Sequence, residues 1–273
     1  MRLLLAASLL AFLPYINAQP PGVKLMSLNI AHARATGLSQ LLQSEAQARH
    51  NLSQIAIVVR RESLDIIALQ EVDRDPFWNG SFDHGEFIAL QAQYPHYYTG
   101  SHQTAIQLDY GTALLSKSLL QNSQTLTFTP SLARTRKGFV ISSIDWSEHE
   151  NLKVDVVSLH LDFLSDSKRR REIDKLIETL EPRDVPKIIM GDFNTSYEDP
   201  RLIPHLAPEL DLHTWDPMAD LTTFTTLDRG LDWVLISSEF RFVDHRVLPD
   251  PLSDHRAIIA EITLRQHSDN IQL

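Results

Sequence analysis

The stretch Ile188 to Thr195, IIMGDFNT, runs from apolar residues into a glycine and then offers Asp192 and Asn194 two positions apart. Gly191 allows the backbone to turn tightly out of a strand. A carboxylate and an amide placed together there can position a water or metal ion and hold a charged oxygen, although both are also ordinary turn residues. Glu71 stands in IIALQEVD, one residue behind an apolar run that ends at Leu69. At the mouth of a buried strand it suits a hard cation such as Mg²⁺, which takes oxygen ligands and retains waters; a charge that merely ends a strand has the same appearance. Asn29, near the end of VKLMSLNI, supplies a neutral oxygen or simply forms a turn. His160 lies in VVSLHLDF, and Ser253-Asp254-His255 precedes AIIAEI. Either histidine alone reads as a satisfied core or surface residue. Two of them among acids at strand ends point to acid/base chemistry.

The elements that must position these groups are mostly strands. Val23 to Ile30, Asp65 to Leu69, Thr112 to Leu115, Phe139 to Ile144, Leu152 to Leu159, Lys187 to Met190, Leu231 to Ile236 and Ala257 to Ile262 are short apolar runs of strand length. Helices are expected over Leu38 to Arg61 and Ser165 to Leu180, the second with Ile173, Leu176, Ile177 and Leu180 on one face. A two-sheet core flanked by helices accommodates this mixture. One strand after another ends at Asn29, Glu71, His160, Asp192 or Asp254, and loops at strand ends are where a rigid scaffold gathers polar groups into one cleft.

Composition narrows the chemistry further. The 273 residues contain no cysteine, which excludes disulfides, thiolate metal sites and a cysteine nucleophile. The formal charge of −10 weighs against broad nucleic-acid affinity through a basic surface. HExxH, Walker-loop and GxSxG signatures are missing. Arg2, the apolar run Leu3 to Leu13, Pro14 and Ala18 form the pattern of a cleavable export signal, so residues 1–18 are expected to be removed and the protein to be secreted or periplasmic, with 19–273 as one domain. The run is shorter than the ~20 apolar residues that span a bilayer.

LMSLNI, ALQEVD, YGTALLSK, SLHLDF, IMGDFNT, LDWVL and SDHRAI follow one another from Leu25 to Ile258. In this order they resemble the motifs of the endonuclease/exonuclease/phosphatase superfamily, also called deoxyribonuclease-I-like. The resemblance implies an α/β fold, a four-layer sandwich of two packed mixed sheets with helices outside, and a metal cleft at one end. It implies Glu71 as main metal ligand with Asn29 and Asp254 near the same ion, and His160 and His255 as paired catalytic histidines. Asp232 is similar to the acid that orients and charges His255, Asp192 to the residue that positions the attacking water, and Asn194 to the one that binds a phosphoryl oxygen. Tyr110 matches a cleft-lining tyrosine. Arg136, in Thr135-Arg136-Lys137-Gly138, takes the place of a phosphate contact where many relatives carry an Arg-Gly-Ala-like strand start.

The expected activity is therefore Mg²⁺-dependent hydrolysis of a phosphodiester or phosphomonoester by in-line attack of water, with Mn²⁺ able to substitute. A nuclease of the same mechanism is the alternative, and nucleic acid or a phospholipid headgroup are the candidate partners. An inactive binding module fits less well because no motif acid or histidine is missing. A monomer without stable membrane insertion is expected. The basic run Lys168 to Arg171 reads as a solvated helix face. The aromatics Phe77, Trp78, Phe82 and Phe87 either tuck onto the core or form a rim near Glu71.

Overall fold

The computed structural model describes residues 22–78, 80–104, 109–130, 136–146, 151–219 and 221–266. The expected leader, 1–18, lies outside the described residues, as does Thr135 beside Arg136.

Two β-α-β units carry the architecture. Strand β1 (Val23–Asn29) leads through helix α1 (Glu45–Glu62) to β2 (Ile66–Asp73), and β7 (Lys153–His160) leads through α3 (Asp166–Leu180) to β8 (Lys187–Asp192). Within each unit the strands run parallel. Helix α2 (His84–Ala92), β3 (His96–Gln103), β4 (Tyr110–Ser116), β5 (Gln121–Thr127) and β6 (Gly138–Asp145) lie between the units in sequence. Helix α4 (Ile203–Glu209), β9 (Leu212–His213), β10 (Asp232–Ser237), β11 (Phe240–Val247) and β12 (Ile258–Leu264) complete the chain. The strands form two six-stranded sheets, ordered β11-β12-β1-β2-β4-β3 and β5-β6-β7-β8-β10-β9.

The interior strands are largely apolar because both of their faces are covered. Side chains alternate across a strand, so Leu25, Ile66, Ala68, Val156, Ile188, Met190 and Val234 fill the space between the sheets. Met26, Leu28, Ile67 and Leu69 meet Leu52, Ile55 and Val59 of α1 on one outer face. Val157, Leu159, Ile189 and Leu235 meet Ile173 and Leu176 of α3 on the other. The result is the expected four-layer α/β/β/α sandwich.

Register places one end of every central strand at the same end of the sandwich. β1 and β2 finish together, and so do β7 and β8. The antiparallel neighbours begin there, with Asp73 opposite Tyr110, His160 opposite Gly138 and Asp192 opposite Asp232. The polar residues that end or begin these strands therefore converge.

Two local expectations are corrected. The helix expected from Leu38 begins only at Glu45, where the Ser44 hydroxyl accepts from the Gln47 amide at 3.2 Å; Leu38 and Leu41 are exposed. Gly191 does not turn out of its strand but stays within β8. A Cβ there would lie 2.0 Å from the Leu159 carbonyl, so glycine is required for close approach to β7.

Candidate active site

At the convergent end Asp192 occupies the centre. Its Oδ2 accepts from Asn29 Nδ2 at 3.0 Å and faces His160 Nε2 at 3.4 Å and His255 Nε2 at 3.8 Å. Its Oδ1 accepts from the Asn194 amide at 2.9 Å, and Asn194 takes a left-handed conformation with φ 52°. The turn out of β8 thus falls at Asn194, whose Nδ2 donates to the Leu161 carbonyl at 3.0 Å.

The two histidines are held in opposite charge states. His255 Nδ1 donates to Asp232 Oδ2 at 2.8 Å. Burial opposes a charge on His255, but Asp232 and Asp192 outweigh it and raise its pKa to about 10. For His160, burial and then the nearby Lys137 ammonium hold the pKa well below the ordinary value, so the ring is neutral. Lys137 Nζ donates to His160 Nδ1 at 3.2 Å, which leaves the proton on Nε2, facing Asp192. Asp192 is pushed up to about 7, by burial first and by Asp232 against the opposing pull of His255.

Glu71 faces them from the other sheet. It sits at a bulge, where Gln70 pairs with Thr112 and Val72 with Gly111, and its φ is 54°. A bulge re-aims a side chain that regular pleating would bury. Glu71 Oε1 receives Lys137 Nζ at 3.1 Å, and Oε2 lies 3.5 Å from His32 Nε2. Burial would raise its pKa, but Lys137, His32 and His160 hold it well below the usual carboxylate range. Tyr110 lines the same wall, pushed up to about 12 by burial and by Glu71 and Asp73. Asp254 is placed differently: its Oδ2 is paired with Arg34 at 2.6 Å, and its Oδ1 accepts from the Ser253 hydroxyl.

Comparison with known proteins identifies the family. The profile of the endonuclease/exonuclease/phosphatase family matches residues 26–255. The chain belongs to that family. A search of curated proteins finds no match. Among solved structures, an endonuclease/exonuclease/phosphatase from Beutenbergia cavernae is similar at 21% identity and TM-score 0.72, over 90% of this chain and 72% of that one. The human Nocturnin catalytic domain, solved with a bound sulfate anion, is similar at 18% identity and TM-score 0.67, over 90% and 96%. Sphingomyelinase C from Streptomyces griseocarneus is similar at 16% identity and TM-score 0.63, over 89% and 99%. At these identities the likeness to solved structures shows the fold.

Endonuclease/exonuclease/phosphatase enzymes hydrolyse phosphoesters with a divalent metal, and the donors present here fit one. The Asp192 and Asp232 carboxylates offer oxygens within 4.8 Å of one another, beside the charged His255. Asp232 Oδ1 is buried without a hydrogen-bond partner among the described residues. Oxygens and imidazoles without thiolate suit Mg²⁺ or Mn²⁺.

The structure thus brings Asn29, Glu71, Tyr110, His160, Asp192, Asn194, Asp232 and His255 to one end of the sandwich, while Asp254 stands beside them on Arg34. Arg136 is exposed, and it is its neighbour Lys137, 5% accessible, that enters the site. Sequence reasoning missed Lys137, His32 and Asp73. The usable signal for Lys137 was its place just before β6, because an antiparallel strand begins where its parallel-unit neighbour ends. The basic run on α3 is only half solvated: Lys168 and Arg169 are buried, with Lys168 2.9 Å from Asp162 and Arg169 paired with Asp166. Among the loop aromatics, Phe82 and Phe87 pack on the core, Phe77 is exposed, and Trp78 donates to Asp73 at 2.8 Å.

Proposed function

We propose that this chain is an exported, Mg²⁺-dependent phosphoesterase that cleaves a phosphodiester or phosphomonoester by in-line attack of water, with Mn²⁺ able to substitute. The observation that carries this reading is Asp192, one carboxylate set between a neutral and a protonated imidazole. Hydrolysis requires a group that takes a proton from water and donors for charge growing on the phosphoryl and leaving oxygens. Asp192, raised toward neutrality, orients the water and receives its proton. His255, kept charged by Asp232, donates to the phosphoryl group, and Asn194 and His160 add further contacts. Tyr110 lines the cleft wall, Lys137 adds buried positive charge, and Arg136 reaches the part of the substrate outside the cleft.

Glu71, Asn29 and Asp254 are the residues that would hold the metal, with the Asp192 and Asp232 carboxylates adjacent. When bound, it supplies Lewis-acid stabilisation of the charge on the reacting oxygens. The formal charge of −10 supports a small or headgroup phosphoester over duplex nucleic acid. The test incubates the mature protein and Mg²⁺ with plasmid DNA, sphingomyelin, bis-p-nitrophenyl phosphate and sugar or inositol phosphates. Hydrolysis of a phosphoester in this panel is expected, and intact substrates throughout would overturn the assignment. Export is tested separately by mass spectrometry of the protein from its host, which should begin at Gln19.

A further inference from the structure

His32 lies outside the motifs that carry the family resemblance, yet an unusual backbone brings it to the site. Ala31, His32, Ala33 and Ala35 have φ of 47°, 52°, 60° and 50°, a region that residues with side chains adopt rarely. The turn is pinned from three sides. The Ala31 amide donates to Asn29 Oδ1 at 3.0 Å, Gln43 Nε2 to the His32 carbonyl at 3.0 Å, and Asn51 Nδ2 to the Ala33 carbonyl at 2.8 Å. A relaxed turn would carry the imidazole elsewhere. Backbone strain of this kind persists where surrounding contacts over-determine it.

The turn sets His32 between two carboxylates. Nδ1 is 2.6 Å from Asp73 Oδ1, and Nε2 is 3.5 Å from Glu71 Oε2. The ring stands edge-on to Tyr110 and Trp78, with centroids at 5.1 and 5.7 Å. Asp73 is fully buried, and its Oδ2 accepts from Trp78 Nε1, so this acid acts on the site through His32. The arrangement repeats that on the opposite sheet. There, Asp232 is buried, His255 Nδ1 rests on it at 2.8 Å, and His255 Nε2 faces the cleft carboxylate Asp192 at 3.8 Å. The His32–Asp73 couple stands at the end of the first β-α-β unit, and Asp232 begins β10 opposite Asp192 at the end of the second.

We propose that His32 and Asp73 form a second aspartate–histidine couple, a positioning pair that holds the Glu71 carboxylate through Oε2, opposite the Lys137 contact on Oε1, and so orients it as a metal ligand. This rests on the reading of Glu71 as a metal ligand. Groups that orient a ligand carboxylate are worth about 10- to 100-fold in metal affinity. The test measures binding of Mn²⁺ alone, by calorimetry and electron paramagnetic resonance, to the full chain and to His32→Ala, Asp73→Asn, their double and Glu71→Gln, with thermal melts alongside.

Glu71→Gln should lose the tight site. His32→Ala and Asp73→Asn should each weaken Mn²⁺ about 10- to 100-fold in folded protein. The double should bind no more weakly than the worse single variant, because the two act as one unit. Should His32→Ala fail to fold, the isosteric Asp73→Asn carries the test. Wild-type or tighter Mn²⁺ binding by the folded couple variants, with Glu71→Gln impaired, overturns the couple and leaves the Glu71 reading standing. Wild-type binding by Glu71→Gln removes both.

Discussion

Replacing Asp232 by asparagine removes one charge from a buried pair while preserving shape, and so isolates what the acid does for His255. The Nδ1–Oδ2 distance is 2.8 Å, and the nearest other carboxylate contact of the ring is Asp192 at 3.8 Å. A hydrogen bond to a charged group contributes about 1.5–3 kcal/mol. At about 1.4 kcal/mol per pKa unit, its loss should lower the His255 pKa by roughly one to two units. In the intact protein that pKa stands at about 10, so His255 stays charged through neutral pH. Its contribution to stability is complete at pH values below its unfolded pKa and fades as pH rises through about 10. The basic limb of the kcat/KM profile should therefore move to lower pH in Asp232→Asn. At neutral pH His255 stays charged, so the rate there should fall through lost orientation of the ring, by up to the ~10²- to 10⁴-fold cost of losing a positioned acid or base. His255→Ala should cost about as much, and the double variant little more, because residues that act together are not additive. The assay is kcat/KM against pH for both singles and the double, with thermal melts beside it. If folded single variants lost activity independently, so that their losses multiplied, the two residues would not be a couple.

Lys137→Met should cut kcat/KM ~10²- to 10³-fold, as expected for a lost charge-stabilising group. It should also let the pKa of His160 rise, since Lys137 holds it down after burial; Arg136→Ala, at an exposed position, should stay within a few-fold. Imidazole NMR titrations and steady-state kinetics check both. Gly191→Ala should destabilise by about 1–3 kcal/mol, because its new Cβ meets the Leu159 carbonyl and overpacking costs that much. A melting temperature equal to wild type would show that β7 and β8 can separate without penalty.

The interior of the fold was readable because strands buried on both faces are apolar along their whole length and stop at a polar residue. β8 and β10 follow that rule most closely, while β1 and β7 interrupt it with the buried Ser27, Asp155 and Ser158. The strands that escaped notice, β3, β5, β9 and β11, are the edges of their sheets. With one side open they carry sequences such as QNSQTLT and FRFVDHRV, which show no apolar run. The early start assigned to α1 came from Leu38 and Leu41, whose spacing is helical but whose side chains lie in solvent. The site divided in the same way. Glu71, His160 and Asp192 end strands and stood out, whereas Lys137 precedes one. His32 depends on a left-handed turn of alanines, which no periodicity announces.

The central claim is tested most directly by stripping the mature protein with EDTA, confirming the metal-free state by elemental analysis, and measuring phosphodiester hydrolysis before and after Mg²⁺ or Mn²⁺ is returned. The donor set of oxygens and imidazoles predicts that hydrolysis disappears in the stripped protein and returns with either ion. Undiminished hydrolysis by protein verified to be metal-free would contradict the account.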